Sequence, residues 1–455
     1  MTQFLSPAGL VQLFGRRAAV THSSLSVLSG LLASQQDPAA INQWAAWQQV
    51  FQQAVGIPLD KLKLSQRQLY GLAEGEANLS RWLFAVQTYY ALIVKLLAYR
   101  TIVPAMTVPM SPPACARFLM NIETGVVFRD AGIANFLETR DIFSWYLDVW
   151  TPALATQLTS IITRIAERQL PPTRHMPRDL LQQLYQDLLP PSLRHRLGEY
   201  YTPSWLATYL LDRIGYHGDP NTTLLDPSCG SGVFLACALN RLRQHGPDSY
   251  SGQIVGFDLN PLAVLSTRAN YLLMLGNDAI QSPHHIPVYQ MDTILDTPPE
   301  NRRYDYVVGN PPWVNWQSLM PSYREKTRAL WHHYRLFPHR DFESILGKGK
   351  KDLSLLMTMV ALDCYLAETG RLGFVITAAV FKTAAGQGFR EFGQGQGTPI
   401  EVIAVDDLST IKPFAKAQNR TALVILGKGG QTTYPVPYTR WRLKPGAKRP
   451  SPPPA

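Results

Sequence analysis

Tyr304-Asp305-Tyr306-Val307-Val308-Gly309-Asn310-Pro311-Pro312-Trp313-Val314-Asn315-Trp316 decides how the rest of the chain is read. The apolar run from Tyr304 to Gly309 predicts a short buried strand. Two consecutive prolines cannot continue a central strand, because they lack amide donors and have a fixed φ, so the backbone leaves the sheet in a stiff loop after Asn310. The loop therefore stands at the carboxyl end of a strand, where open α/β sheets bind ligands. It offers the Asn310 amide, the carbonyls around Pro311 and Pro312, and the indole of Trp313. These groups suit a planar ring with an exocyclic amine: the oxygens accept its hydrogens while the indole stacks on its face. A proline-capped strand end with a core tryptophan is the other reading of the same residues.

Upstream, Thr223-Leu224-Leu225-Asp226-Pro227-Ser228-Cys229-Gly230-Ser231-Gly232-Val233-Phe234-Leu235 reads as a strand, a Gly-rich turn and a helix. This pattern holds nucleotide-like cofactors. Gly230 and Gly232 allow the backbone to approach a ligand closely. The spacing is not that of a dinucleotide-binding GxGxxG, and no Gly-Lys-Ser/Thr marks a phosphate loop. Gln253 to Phe257 predicts the next strand, ending at Asp258, whose carboxylate can accept two ribose hydroxyls or cap the helix opening at Pro261. Pro287 to Met291 predicts a third strand, ending at Asp292.

Asn310-Pro311-Pro312-Trp313 resembles the catalytic motif of amino-group methyltransferases, in the form typical of DNA adenine-N6 enzymes. Asp226-Pro227-Ser228-Cys229-Gly230-Ser231-Gly232 resembles the Asp-Pro-x-x-Gly-x-Gly site for S-adenosylmethionine in the same enzymes. Gly198-Glu199-Tyr200-Tyr201-Thr202-Pro203 resembles the start of the methyltransferase core in Type I modification subunits and Type IIG restriction-modification enzymes. The resemblance runs from about Pro190 to Leu426. It implies an α/β, doubly wound, Rossmann-like S-adenosylmethionine-dependent methyltransferase core. It also implies roles: Asn310, Pro311, Pro312 and Trp313 as catalytic residues, and Tyr201, Thr202 and Pro203 folded over the methionine part of the cofactor. Asp226, Pro227, Gly230, Gly232, Asp258, Asp292 and Asn310 complete the implied cofactor site, with Asp292 accepting from the adenine amine. Trp313 and Phe414 would sandwich a flipped target base, although a core phenylalanine is an equal reading of Phe414.

Composition bounds the rest. The chain has 455 residues and a formal charge of +10, which permits a polyanionic partner without demonstrating one. Its four cysteines form no CxxC pair and have no histidine at zinc-ligand spacing, so no metal is expected, and a reducing, cytoplasmic setting is. The most apolar stretch, Trp82 to Met106, is interrupted by Lys95 and Arg100, which favours a buried helix over a membrane span. Trp44, Trp47, Phe51 and Val55 share a helical face, and residues 1–189 read as an α-helical N-terminal domain. Residues 190–428 are expected to form the methyltransferase domain. Residues 429–455, with five cations and a Pro-rich end, read as a basic tail or linker rather than the target-recognition domain of fuller relatives. Thr202 before Pro203 predicts a helix entry. Leu319 to Lys351 mixes cations with Tyr323 and Trp331, which predicts either contacts to phosphates and unstacked bases or a solvated insertion.

The expected function is methylation of adenine N6 in double-stranded DNA, within a restriction-modification or related defence system, with a separate specificity subunit choosing the sequence. Two alternatives stand beside it: a methyltransferase acting on rRNA or protein, and a non-catalytic DNA-binding component of a defence complex.

Overall fold

The computed structural model describes residues 4–34, 38–55, 79–172, 176, 180–190, 193, 201–246, 252–276, 283–297, 302–337, 351–391, 399–414 and 420–446. They fall into two units, one built from Met1–Ala54, Pro58–Arg196 and Asn260–Val288, the other from Val55–Ile57, Leu197–Leu259 and Tyr289–Ala455.

The first unit is helical around one helix, Leu79–Ile102, which is buried along nearly its whole length. Its apolarity is spent on the protein interior. Trp47 and Phe51 stack at 4.8 Å on the neighbouring helix Pro38–Val55, and the Trp47 indole donates to Gln87 at 2.7 Å. Lys95 is fully buried, donating to Glu123 at 2.5 Å and to Asp141 at 2.8 Å, while the Tyr146 hydroxyl donates to the other Glu123 oxygen at 2.7 Å. One buried cation thus serves two carboxylates, and the Tyr146 hydroxyl adds a neutral donor to Glu123. Replacing Lys95 by Met leaves the Glu123 carboxylate buried without its cation and is expected to destabilise this unit by roughly 3–5 kcal/mol, measured by chemical denaturation. The chain returns to this unit with Pro261–Leu275, a helix apolar around most of its circumference, whose Ser266 hydroxyl donates to Tyr90 at 3.2 Å. The boundary expected at 189/190 leaves out this return. A short parallel pair, Ile133–Ala134 with His284–His285, belongs to the same unit.

The second unit is the expected doubly wound sheet. Its strands are β1 (Leu224–Asp226), β2 (Ile254–Asp258), β3 (Val288–Gln290), β4 (Tyr304–Gly309), β5 (Leu366–Thr377), β6 (Ile400–Asp407), β7 (Thr421–Lys428) and β8 (Tyr438–Arg440). Across the sheet they run β3-β2-β1-β4-β5-β7-β6-β8. Leu225 lies opposite both Val255 and Val307, so β1 is central and the winding reverses beside it. That reversal opens a crevice at the carboxyl ends of β1 and β4. Strands β1, β2, β4 and β5 are parallel, and the buried stretches that pair in the centre of the sheet, such as Leu372–Ile376 of β5, are mostly apolar, as strands covered on both faces must be. β7 inserts between β5 and β6 and pairs antiparallel with both.

Three expectations change. The first helix of this unit spans Ser204–Ile214 with Pro203 as its cap, so Thr202 lies one residue outside the entry it was expected to make. Tyr323 and Trp331, read either as contacts to unstacked bases or as part of a solvated insertion, are instead buried on the inner face of the helix Pro321–His333, with Trp331 stacked on Phe337 at 5.2 Å. Residues 338–350 of the same stretch lie outside the described residues, as do 194–200. Finally, Tyr438–Arg440 is no linker: it pairs in parallel with β6 as the outermost strand.

Candidate active site

Asp226 ends β1 and turns into the Gly-rich loop. Its Oδ1 accepts from the Ser228 amide at 3.1 Å, while Oδ2 is buried with no hydrogen-bond partner among the described residues. Burial pushes this carboxyl well above the usual range, against the pull of the Ser228 amide, and the neighbouring Asp258 carboxylate pushes the same way. A buried acceptor left unpaired in this way costs about 1–3 kcal/mol. Such a group is a functional-site candidate on physical grounds.

The loop is fastened to β2. The Cys229 amide donates to Phe257 O at 2.9 Å and the Gly230 amide to Asp258 Oδ2 at 2.8 Å. Asp258 is not the helix cap; Asn260 takes that role, accepting from the Leu262 amide at 3.0 Å. Gly230 has φ +55° and a Cβ there would meet nothing within 4 Å, so the backbone borders open space. Gly232, at φ +82°, opens the helix Val233–Leu242. Pro227 is held from behind: its carbonyl accepts the Thr293 hydroxyl at 2.5 Å.

Asp292 lies just past β3. Its Oδ1 accepts from the Ile294 amide at 2.9 Å, the Leu295 amide at 3.3 Å and the Tyr323 hydroxyl at 3.1 Å, while Oδ2 is buried without a partner among the described residues. Burial raises this carboxyl too, against those three donors. Tyr323 and Thr293 were not expected here; only the fold brings them beside Asp292 and Pro227.

Strand β4 delivers Gly309 and Asn310 next to β1. A Cβ on Gly309 would lie 2.8 Å from Asp226 Oδ1, so glycine is what allows the two strand ends to meet. Gly309→Ala must displace the Asp226 carboxylate or the strand, and overpacking of this kind costs about 1–3 kcal/mol. We expect weaker cofactor binding from this variant, measured by calorimetry. The Asn310 Oδ1 is buried. Beyond it the loop is clamped to the start of the helix Leu353–Val360: Leu353 N donates to Val314 O and Trp316 N to Lys351 O, both at 2.8 Å. Asp352 caps that helix through the Ser354 amide at 3.0 Å, and burial pushes its carboxyl up to about 6.

Trp313 is 8% exposed and donates from its indole nitrogen to Val375 O at 3.3 Å. Phe414 is 5% exposed and meets Trp313 edge to face, with centroids 5.0 Å apart and planes at 82°. Rings in this arrangement brace one another and cannot form two parallel plates. The expected sandwich between them is therefore not present in this geometry. Tyr201, Thr202 and Pro203 lie at the entry of the helix Ser204–Ile214, with Thr202 buried.

The residues at this edge fit a cationic, nucleotide-like ligand on three counts. Among the described residues, two buried carboxylate oxygens have no hydrogen-bond partner and no phosphate-loop lysine joins the donor set, while Gly230 borders open space.

Comparisons with known proteins agree with this geometry. Residues 177–392 match the family model described as N-6 DNA Methylase. The Type I restriction enzyme MjaIX methylase subunit of Methanocaldococcus jannaschii is 32% identical over 116 residues, which is 26% of this chain and 19% of that protein. The Type II methyltransferase M.BstVI of Geobacillus stearothermophilus is 27% identical over 219 residues, 43% of this chain and 36% of that protein. The chain thus matches well under half the length of either relative. Among solved structures, the ATP-dependent Type ISP restriction-modification enzyme LlaBIII bound to DNA superposes with a TM-score of 0.54 at 13% identity, over 92% of this chain and 29% of that one, which is a likeness of fold. This chain is similar, through the sheet that carries Asp226 and Asn310, to the N6-adenine methyltransferases of restriction-modification systems.

Proposed function

We propose that the chain is an S-adenosylmethionine-dependent methyltransferase acting on the N6 amine of adenine in DNA. The observation that carries this reading is the meeting of Gly309–Asn310 with Asp226 on adjacent strands. It puts a loop suited to an aromatic amine beside a carboxylate suited to a cationic cofactor.

The cofactor supplies an electrophilic methyl group; the chain supplies positions and charges. Asp226 holds the ammonium end, Asp258 the ribose hydroxyls and Asp292 the adenine amine, while Tyr201 to Pro203 cover the methionine part. Asn310 Oδ1 and the Pro311 carbonyl accept the two hydrogens of the target amine. That makes the nitrogen pyramidal and directs its lone pair, which is otherwise delocalised into the ring. Positioning and charge placement of this kind account for large factors in rate without a strong base. Duplex pairing hides the amine, so the target base must leave the stack. Trp313 then provides the stacking surface, and Phe414 supports it from its edge.

Cofactor binding should depend on pH with a definite sign. Asp226 and Asp292 have raised carboxyls in the free protein, and a cationic ligand favours their ionised forms. Binding therefore releases protons, and affinity falls as pH drops through the raised values. Calorimetry in buffers of different ionisation enthalpy reads the proton release directly; proton uptake on binding contradicts the assignment.

In keeping with its likeness to the methylase subunit of a Type I restriction enzyme, we assign sequence choice to a separate partner within a modification or defence system. The test of the reading is transfer of labelled methyl by the full chain to unmethylated genomic DNA, total RNA and ribosomal protein in parallel. Label in DNA supports the reading. Label confined to RNA or protein overturns it, and sequence-specific methylation by the chain alone removes the partner.

A further inference from the structure

The carboxyl edge of the sheet is electrically divided at β4. On the β1, β2 and β3 side it carries Asp226, Asp258 and Asp292. On the far side the strand directions bring a different set to the same edge. β6 is antiparallel to β7, which is antiparallel to β5, so β6 runs parallel to β4; β8 runs parallel to β6. Arg440, the last residue of β8 and the register partner of Asp407, therefore lies on the same edge as Asn310. Arg442 and Lys444 follow it, and all three are exposed. Lys412 and Arg420, flanking the entry to β7, are exposed as well.

The carboxylates on this flank do not cancel those charges. Asp406 is fully buried and held by the Arg213 guanidinium at 2.9 Å and the Tyr209 hydroxyl at 2.6 Å. Asp407 is buried and accepts from the Tyr438 hydroxyl at 2.9 Å, with Lys382 at 3.7 Å. Burial works against the ionised form of Asp407, but hydrogen bonds from Ser409 and Tyr438 and the Lys382 charge outweigh it, so its carboxyl sits below the usual range. The strand bearing the cations is fixed: Trp441 N donates to Asp407 O at 3.0 Å, and the indole packs edge-on against Tyr209 at 5.2 Å.

We infer that Arg440, Arg442 and Lys444, continued by Lys412 and Arg420, form a docking flank for the phosphate backbone of duplex DNA, on the side of the catalytic loop away from the cofactor. Four strand spacings separate β8 from β4, about 19 Å at 4.8 Å each. One helical turn of duplex is about 34 Å, so a duplex running along this edge with a base at Asn310 would bring phosphates over this flank about half a turn away. The split edge then sorts its ligands by charge, the acidic half taking the cationic cofactor and the basic half the polyanion. The inference rests on the DNA reading above.

The experiment is fluorescence-anisotropy binding of a labelled duplex by the full chain over a salt series, with cofactor affinity and thermal unfolding as controls on folding. The triple variant R440Q/R442Q/K444Q should raise Kd about tenfold or more and shallow the slope of log K against log salt by roughly 2 to 3, at about 0.9 per lost phosphate contact. The variant R440K/R442K keeps the charge and should retain the wild-type slope, which a role confined to folding of β8 does not predict. Equal slopes and Kd values within twofold for wild type and the glutamine variant overturn the inference while leaving the DNA reading in place. A wild-type chain that binds no duplex, with methyl transfer confined to RNA or protein, removes the DNA reading and the inference together.

Discussion

Asn310→Ala should abolish methyl transfer while leaving cofactor affinity within a few-fold of wild type. The residue follows directly on the strand β4 and precedes the proline pair, so its backbone is fixed from both sides. In the proposed mechanism, alanine removes the acceptor that localises the amine lone pair. Losing one pre-positioned hydrogen-bonding group of this kind lowers the rate of the chemical step roughly a hundred- to a thousandfold, and here Asn310 also fixes the base for in-line attack, so the loss should exceed that range. The measurement is single-turnover transfer alongside calorimetric cofactor binding. Loss of both together assigns Asn310 to folding and not to chemistry.

Asp226→Asn should do the reverse, removing cofactor binding while leaving the free protein at least as stable as wild type. An ammonium about 4 Å from a carboxylate, at an effective dielectric constant near 20, interacts by about 4 kcal/mol, so cofactor affinity should fall roughly a hundred- to a thousandfold. The stability side follows from burial. Asp226 is 1% exposed and its carboxyl is raised above the unfolded value, so the folded state binds more protons than the unfolded chain throughout that window. Stability from this group therefore falls as pH rises from the unfolded value through the raised one. The neutral amide has no such dependence. The variant's advantage should be smallest in acid and grow toward neutrality, measured by denaturant unfolding without cofactor. A variant much less stable than wild type at neutral pH would make Asp226 a structural residue.

What was legible in the sequence followed from residues with strict backbone demands. Pro311 and Pro312 end a strand wherever they stand, and Gly230 and Gly232 mark a turn, so the sheet's central strands and the loops at their carboxyl ends could be placed from local rules. Contacts made across the fold could not. Nothing local distinguishes Asp352 from any other helix cap, or shows that Leu353 N reaches back to Val314 O. Thr293 behind Pro227 and Tyr323 beside Asp292 are likewise tertiary facts. The Leu319–Lys351 stretch misled because its cations and aromatics alternate in sequence, whereas on the helix Pro321–His333 they separate onto opposite faces. β8 was missed because three exposed residues carry no periodicity, and an edge strand needs no apolar face. The return of Pro261–Leu275 to the helical unit was hidden for a related reason: a helix apolar on most sides does not announce which neighbour it packs against.

The most direct test of the account is the identity of the modified nucleoside. DNA methylated by the full chain is digested to nucleosides and resolved by mass spectrometry. The account predicts N6-methyldeoxyadenosine. Methylated deoxycytidine in its place, whether on N4 or on ring carbon, would contradict the assignment of the Asn310 loop to the adenine amine.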